Sequence, residues 1–172
     1  MGSRPQPLVW SPEVAVTGQV EASVVAQQVA VHPFVRGLEP DDVAALQRAA
    51  RAVEFKSGEV IFPLGGEADS FYLIRTGVVA LQLPDRSGVA QTIQSLAEGS
   101  AIGWSWLFEP RRWQFTAVAT TPVRAIVFDG AALREGFTVN PATGYRVLLR
   151  LAEVIAERLQ ATRRQLLSLT GS

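Results

Sequence analysis

Short apolar runs, broken every few residues by glycine, proline, aspartate or serine, fill residues 53–129. Runs such as Phe71-Tyr-Leu-Ile74 and Val123-Arg-Ala-Ile-Val-Phe128 contain the β-branched and aromatic residues that are typical of strands. Pro84-Asp-Arg-Ser-Gly88 has the composition of a hairpin turn. Because no helical pattern interrupts this series, it predicts an antiparallel sandwich, roll or barrel.

Helical patterns flank this β-rich region on both sides. We expect an N-terminal arm with a short helix over residues 1–30, a β-roll over residues 31–141, and one long helix over residues 142–172. The arm is expected to be irregular to about residue 20, and its helix to cover residues 21–32. Another short helix begins at Pro40-Asp-Asp42, because proline and acidic residues are both favourable in a first helical turn. The predicted fold class is therefore α+β.

Leucines and other residues in the long helix repeat at intervals of three or four positions. Such a narrow seam is typical of helices that pack on a partner helix. We expect the first two turns to pack on the roll and the rest on a second copy, which gives a homodimer. The predicted seam consists of Leu151, Ile155, Leu159, Thr162 and Leu166. The polar Thr162 is expected either to fix the register of the two helices or to contact a ligand.

Composition limits the function. The 172-residue chain has 16 Lys plus Arg and 16 Asp plus Glu, so it lacks the basic excess that is typical of a dedicated nucleic-acid binder. It has no cysteine and one histidine, which excludes thiolate and histidine-cluster metal sites. The sequence has no run of about 20 apolar residues that could span a membrane. We therefore expect no nucleic acid, no membrane and no metal among its partners, and a cytoplasmic location.

Two further segments resemble one known family. Lys56-Ser-Gly-Glu-Val-Ile-Phe62 and Gly65-Gly-Glu-Ala-Asp-Ser-Phe-Tyr-Leu-Ile-Arg-Thr-Gly-Val-Val79 are similar to the first strands and the core motif of the cyclic nucleotide-binding domain of catabolite activators, the Crp/Fnr family. The resemblance implies an antiparallel β-roll (a double-stranded β-helix, jelly-roll-like), a C-terminal dimerisation helix and a regulatory role. The family's helix-turn-helix domain has no counterpart before Ser172, so we expect a stand-alone module.

The family's phosphate-binding cassette is altered here at its two charged positions. Gly103 matches the cassette glycine, and Thr116-Ala117 match its hydroxyl and alanine, but Trp104 replaces the glutamate that binds ribose and Phe115 replaces the arginine that binds phosphate. A hydrogen bond to a charged group contributes about 1.5–3 kcal/mol, so losing two weakens binding by about two to four decades. Any cyclic nucleotide of the cAMP type is therefore expected to bind weakly.

The candidate ligand pocket extends beyond these positions. The family resemblance also places Thr162 against the purine and Arg163 at a position that reaches across the dimer. Arg111 and Arg112 lie in the cassette loop, where they act either as a displaced anion anchor or as a solvated pair. The predicted pocket comprises Gly103, Trp104, Ser105, Trp106, Arg112, Phe115, Thr116, Ala117, Thr162 and Arg163.

The cassette aromatics leave three interpretations open. Their rings line a pocket for a small apolar effector, form an exposed patch for a partner protein, or fill the space of the missing nucleotide. The leading hypothesis is a non-enzymatic sensor with a degenerate cassette that acts on an unknown, separately encoded protein partner. The alternative is a ligand-free interaction or assembly protein. A metal-dependent roll enzyme is disfavoured, because His32 is the only histidine; it is expected to be a capping or surface residue.

Overall fold

The structure is a computed structural model that describes the backbone of residues 14–170 and the side chains of residues 21–168. The elements run in the order α1 (Val14–Val31), a 3-10 turn (Pro33–Val35), α2 (Pro40–Arg48), β1 (Ala50–Phe55), β2 (Val60–Phe62), β3 (Ser70–Thr76), β4 (Val79–Pro84), β5 (Ala90–Leu96), β6 (Ala101–Ile102), a second 3-10 turn (Ser105–Leu107), β7 (Thr116–Ala119), β8 (Val123–Asp129), α3 (Gly130–Val139) and α4 (Pro141–Thr170).

Eight strands form two four-stranded antiparallel sheets. The order is β1-β8-β3-β6 in the first sheet and β2-β7-β4-β5 in the second. In the first sheet Leu73 of β3 pairs with Ile126 of β8, and in the second Leu81 of β4 pairs with Ala117 of β7. This arrangement, with a long C-terminal helix, confirms the predicted α+β fold with an antiparallel β-roll.

The central strands of the first sheet, β3 and β8, are largely buried on both faces. Successive strand side chains point to opposite faces. On β3, Tyr72 and Ile74 pack inside the roll with Val79 and Leu81 of the second sheet. Phe71 and Leu73 face the helices, and Leu73 is fully buried there. Strands buried on both faces need continuous apolar runs instead of alternation, which explains the four-residue run on β3.

The helical layer is held to the roll by polar as well as apolar contacts. Val147 and Leu151 of α4 are buried with Leu46 of α2. Arg146 donates two hydrogen bonds to the buried carboxylate of Asp42, with Nε–Oδ2 2.6 Å and Nη2–Oδ1 2.7 Å. The Arg146 side chain lowers the pKa of Asp42 through these hydrogen bonds. The first part of α4 is thus anchored within the same chain.

The single histidine, His32, caps the first 3-10 turn. Of the two roles expected for it, capping residue or surface residue, it has the first. The Phe34 backbone N–H donates to His32 Nδ1 at 3.1 Å, and Nε2 lies 3.1 Å from the Ile74 carbonyl oxygen. One ring nitrogen accepts and the other donates, which is the pattern of a neutral imidazole. Burial lowers the pKa of His32, so the neutral form is favoured.

Two helical features differ from the sequence-based expectation: the start of α1 and the presence of α3. The helix expected over residues 21–32 begins at Val14 and ends at Val31, so residues 14–20 are helical where an irregular arm was expected; residues 1–13 lie outside the described residues. Helix α3 was not expected within the region assigned to the roll. Asp129 starts it by accepting a hydrogen bond from the Ala132 N–H at 2.9 Å, which makes it an N-cap residue. The division of the chain into arm, roll and helix domains remains a prediction.

Gly77 shows why a turn between two strands requires glycine. Its φ is +91°, and a Cβ atom added to it would lie 2.3 Å from the Pro122 carbonyl oxygen. Side chains with a Cβ rarely adopt such a φ, and backbone cannot easily move away from the contact. Gly58, Gly65 and Gly99 also lie between strands and also have positive φ.

Candidate functional site

The cassette connects β6 to β7, at the mouth of the roll between its two sheets. It begins at Gly103, whose φ is +82° and whose added Cβ would lie 3.0 Å from Cζ3 of Trp113. Glycine is therefore required both for the backbone conformation and for the close approach of the indole. The chain then makes the short 3-10 turn Ser105–Leu107 and returns to the sheet at Thr116.

Aromatic rings occupy the interior of the roll next to Gly103. The Trp113 indole stacks on the Phe62 ring, with centroids 3.9 Å apart and planes 17° apart. Both side chains are buried in the cluster between the sheets, and Phe115 packs against the same cluster. The space that remains measures about 20 Å³. That volume holds about one water molecule.

Nine residues surround this small cavity. They include four of the ten that we predicted for the pocket: Gly103, Trp104, Ser105 and Phe115. The other five are Phe62, Leu81, Trp113, Gln114 and Arg158. Arg112, Trp106, Thr116, Ala117, Thr162 and Arg163 do not line it.

The three cassette tryptophans separate into different environments. Trp106 turns away from the roll interior and is buried in the helical cluster, with its ring 6.4 Å from that of Phe137. It packs where helices cover the outer face of the first sheet, so it does not belong to the predicted pocket. Trp104 is partly buried, and its ring lies 4.6 Å from the guanidinium carbon of Arg158.

The hydroxyl and alanine of the cassette are used within the fold. Thr116 Oγ1 accepts a hydrogen bond from the Leu64 N–H at 3.1 Å. Ala117 is completely buried between the sheets. Both residues therefore support the return of the chain to β7 rather than facing the small cavity.

Neither arginine of the cassette loop reaches the cavity. Arg111 has a φ of +50° and forms an ion pair with Glu109 at 2.7 Å. Arg112 is exposed, and its Nη1 lies 3.5 Å from the Gly65 carbonyl oxygen. Both side chains are held by contacts at the outer surface of the loop. Arg112 is exposed, as the solvated alternative expects, whereas Arg111 is partly buried and its Nε is buried without a hydrogen-bond partner.

The charged residue that does reach the cavity is Arg158, which comes from α4. Its guanidinium donates to the Ala101 carbonyl oxygen and lies over the Trp104 ring. Burial lowers the pKa of Arg158 to about 10, and the group remains cationic at neutral pH. A cation is therefore present at the cassette, supplied by the helix instead of by the loop.

Sequence reasoning missed Arg158, although a signal for it exists. Val147, Leu151 and Val154 form the stripe of α4 that faces the roll. Arg158 continues this stripe at the next helical interval of four residues. A charged residue that interrupts an apolar stripe is an informative exception, because charges are rarely buried without a reason.

The predicted seam divides between the roll and the solvent. Leu151 is buried on the roll and Ile155 packs partly on it, whereas Leu159, Thr162 and Leu166 are exposed. Leu151 is therefore unavailable to a partner helix, because the same chain already covers it. Thr162 Oγ1 donates to the Arg158 carbonyl oxygen at 3.1 Å, and Arg163 is exposed.

The residues that the structure describes also bear on metal binding and on membranes. Within them, histidine and acidic side chains form no group of three or more with a geometry suited to a metal ion. No helix in the described part of the chain combines the length and the apolar character needed to cross a bilayer.

Comparison with known proteins identifies the family. Residues 52–139, just over half of the chain, match the cyclic nucleotide-binding domain. The chain is 31% identical over 134 residues to glutaminase 1 of Bradyrhizobium diazoefficiens, covering 77% of this chain and 21% of that enzyme. It is 28% identical over 134 residues to a CRP-like cAMP-activated global transcriptional regulator of Mycobacterium tuberculosis, covering 78% of this chain and 58% of the regulator.

A solved structure supports the same assignment. A cyclic nucleotide-binding protein from Geobacter metallireducens superposes with a TM-score of 0.69 at 28% identity, covering 78% of this chain and 97% of that one. The sequence match, the strand order and the long C-terminal helix agree. The chain belongs to the cyclic nucleotide-binding domain family.

Proposed function

We propose that the chain is a non-enzymatic regulatory module whose cassette no longer holds a cyclic nucleotide tightly and which acts on a separately encoded partner. The family is a regulatory domain, not a catalytic one. The match to glutaminase covers about a fifth of that enzyme, and we attribute it to a shared regulatory domain. A cytoplasmic location and a homodimeric state belong to the same proposal.

The stacked Phe62 and Trp113 rings carry this proposal. They leave about 20 Å³ beside Gly103, whereas sites for small organic ligands measure about 300–1,000 Å³. Trp104 and Phe115 also remove the two charged groups that the family resemblance assigns to ribose and phosphate. Lost charge and lost space act in the same direction, since each weakens binding of a cyclic nucleotide.

Thermal unfolding with cAMP and cGMP tests the proposal. A ligand that binds only the native state stabilises it by about 2.7 kcal/mol at a hundredfold excess over its Kd. We expect no increase in Tm at ligand concentrations that saturate a micromolar site. A dose-dependent increase with either nucleotide, confirmed by calorimetry, would contradict the proposal.

Restoring the missing charges separates the two causes. The double variant Trp104→Glu/Phe115→Arg replaces both anchors but leaves the Phe62–Trp113 stack in place. We expect it to stay unresponsive to cAMP until Trp113→Ala is added to open the space. If the double variant binds as tightly as the triple one, filling of the cavity contributes nothing.

A ligand-free assembly role is the second candidate, and a specific observation favours it. Leu159 on α4 is 49% exposed and Phe108 at the end of the cassette turn is 59% exposed. Contiguous exposed apolar patches are typical of contacts with other proteins, and we propose that each of these side chains is part of such a patch. Co-purification of a protein partner that survives Phe108→Ser and Leu159→Ser would contradict this role for the two residues.

A further inference from the structure

A groove runs between α4 and the edge strands β5 and β6, and Arg158 lines it. Its apolar walls include Pro33, Phe34, Leu96, Ala101 and Val154, and its volume is about 360 Å³. Sites for small organic ligands begin at about 300 Å³. The groove is therefore large enough for a small molecule, unlike the cavity beside Trp113.

The guanidinium of Arg158 lies in this groove without a counter-ion. Among the side chains of residues 21–168, no carboxylate forms an ion pair with it. Its contacts are the Ala101 carbonyl oxygen and the face of Trp104, although a guanidinium carries five N–H donors. A largely buried charge is costly to leave unpaired, so the arrangement is suited to an incoming anion.

The other charges of the groove favour an anion with a single negative charge. Arg150 already donates to the Phe34 carbonyl oxygen at 2.9 Å and to Glu153 at 3.0 Å. Glu157 also lines the groove, and its carboxylate would repel a second negative charge. The fork of a guanidinium matches a planar carboxylate with two parallel hydrogen bonds.

We propose that this groove binds a small monocarboxylate whose carboxylate pairs with Arg158 and whose apolar body lies along Pro33, Phe34, Leu96 and Val154. This inference rests on the proposed function, because it names the effector class of a sensor that no longer takes a cyclic nucleotide. Arg158 contacts Trp104 and Ala101 on the roll side of α4. The carboxylate ligand would therefore reach the guanidinium through the groove. A second copy would approach the helix on the exposed side, where Leu159 lies.

Hexanoate is the probe, at constant ionic strength, with acetate, hexan-1-ol and inorganic phosphate for comparison. Calorimetry and thermal unfolding are both recorded on the full chain. We expect saturable binding of hexanoate, with acetate and hexan-1-ol at least tenfold weaker because each lacks one half of the recognised molecule. Absence of saturation at about 10 mM hexanoate, where a millimolar site is largely filled, would overturn the inference. Equal or tighter binding of phosphate would overturn the ligand class.

Arg158→Met distinguishes a binding role from a structural one. It keeps the apolar stem and removes the unpaired charge, so we expect an unchanged or higher Tm without ligand and at least tenfold weaker hexanoate binding. Arg164→Met, an exposed arginine on the same helix, is the matched control and should bind hexanoate normally. Normal hexanoate binding by a folded Arg158→Met would overturn the assignment.

Arg158→Lys keeps the fold testable if the methionine variant is poorly folded. Lysine retains the positive charge but lacks the paired N–H groups of the guanidinium. We therefore expect hexanoate to bind Arg158→Lys more weakly than the unmodified protein and more tightly than Arg158→Met. The outcome is separable from that of the proposed function. Binding of cAMP would overturn the proposed function, whereas failure of hexanoate alone would overturn only this inference.

Discussion

The two halves of α4 have the same spacing of apolar residues but different surroundings. In the first half, residues 141–155, Val147 and Leu151 are buried, and Arg146 and Arg150 bond to Asp42 and to the Phe34 carbonyl oxygen. In the second half, residues 156–168, Arg158 is the only side chain that is not exposed. The first half is therefore part of the domain core, whereas the second extends past it.

This difference shows that a helical seam does not by itself reveal what covers it. Leu151 and Leu159 both belong to the predicted seam, yet one is 2% exposed and the other 49%. Eight residues at 3.6 per turn place Leu159 about 80° around the helix from Leu151, away from the roll. Most helix stability in proteins comes from packing of an apolar face. We infer that the second half needs a partner surface, and a second copy of α4 is the one that we propose.

The largest expected effect comes from deleting the buried member of this pair. Leu151→Ala should lower the free energy of unfolding by about 2–5 kcal/mol, because it leaves a cavity between α4 and the roll. Leu159→Ala is the matched control and should change the stability of the monomer by less than about 0.5 kcal/mol. Urea unfolding at low protein concentration measures both. Equal losses in the two variants would mean that both halves of the helix are packed alike.

Removing the ion pair that anchors the first half should have a smaller effect. Asp42→Asn should lower the free energy of unfolding by about 1–3 kcal/mol at pH 7, because two charge-assisted hydrogen bonds from Arg146 lose their acceptor charge. The folded-state pKa of Asp42 is lowered, so its contribution is present above its ordinary pKa of 3.8 and lost as the pH falls through the folded value.

Stability measured against pH checks this assignment. The difference between Asp42→Asn and the unmodified protein should be constant from pH 7 to pH 5 and shrink below pH 4. Glu54→Gln removes an exposed carboxylate that pairs with Arg124 and serves as the control. A difference that persists unchanged into strong acid would mean that the carboxylate charge of Asp42 does not stabilise α4.

The smallest effect on folding, but a clear one on assembly, is expected in the second half. Leu159→Glu should leave the monomer fold and its circular dichroism unchanged while converting dimers to monomers in sedimentation experiments, because it places a charge in the seam. Gln160→Glu adds the same charge beside the seam and should leave the dimer intact. A dimer that persists in Leu159→Glu would show that α4 does not mediate self-association.

Much of the fold could be predicted from the sequence because its signals are local. The four-residue run on β3 and the turn glycines follow from rules that involve neighbouring residues only. The long helix was predicted within one residue of its observed start at Pro141, because its periodicity continues for 30 residues. Helix α3 was missed because it is short and follows β8 with only the Asp129 cap as a signal.

The site could be predicted only in part. The sequence alone indicated that Trp104 and Phe115 replace charged residues of the cassette, and both line the small cavity. It could not indicate that Trp113 would stack inside the roll while Trp106 packed under α3, since both are apolar residues in one loop. The direction of each ring depends on which cluster has room for it.

The sequence by itself determined the strand series, the positions of the turns, the length of α4 and the loss of the cassette's own charged residues. These properties depend on backbone preferences and spacing along the chain. Only the tertiary structure decided which half of α4 is covered and that Arg158 lies over Trp104. Contacts between residues more than fifty positions apart depend on how the helix docks on the roll, and no local pattern encodes that docking.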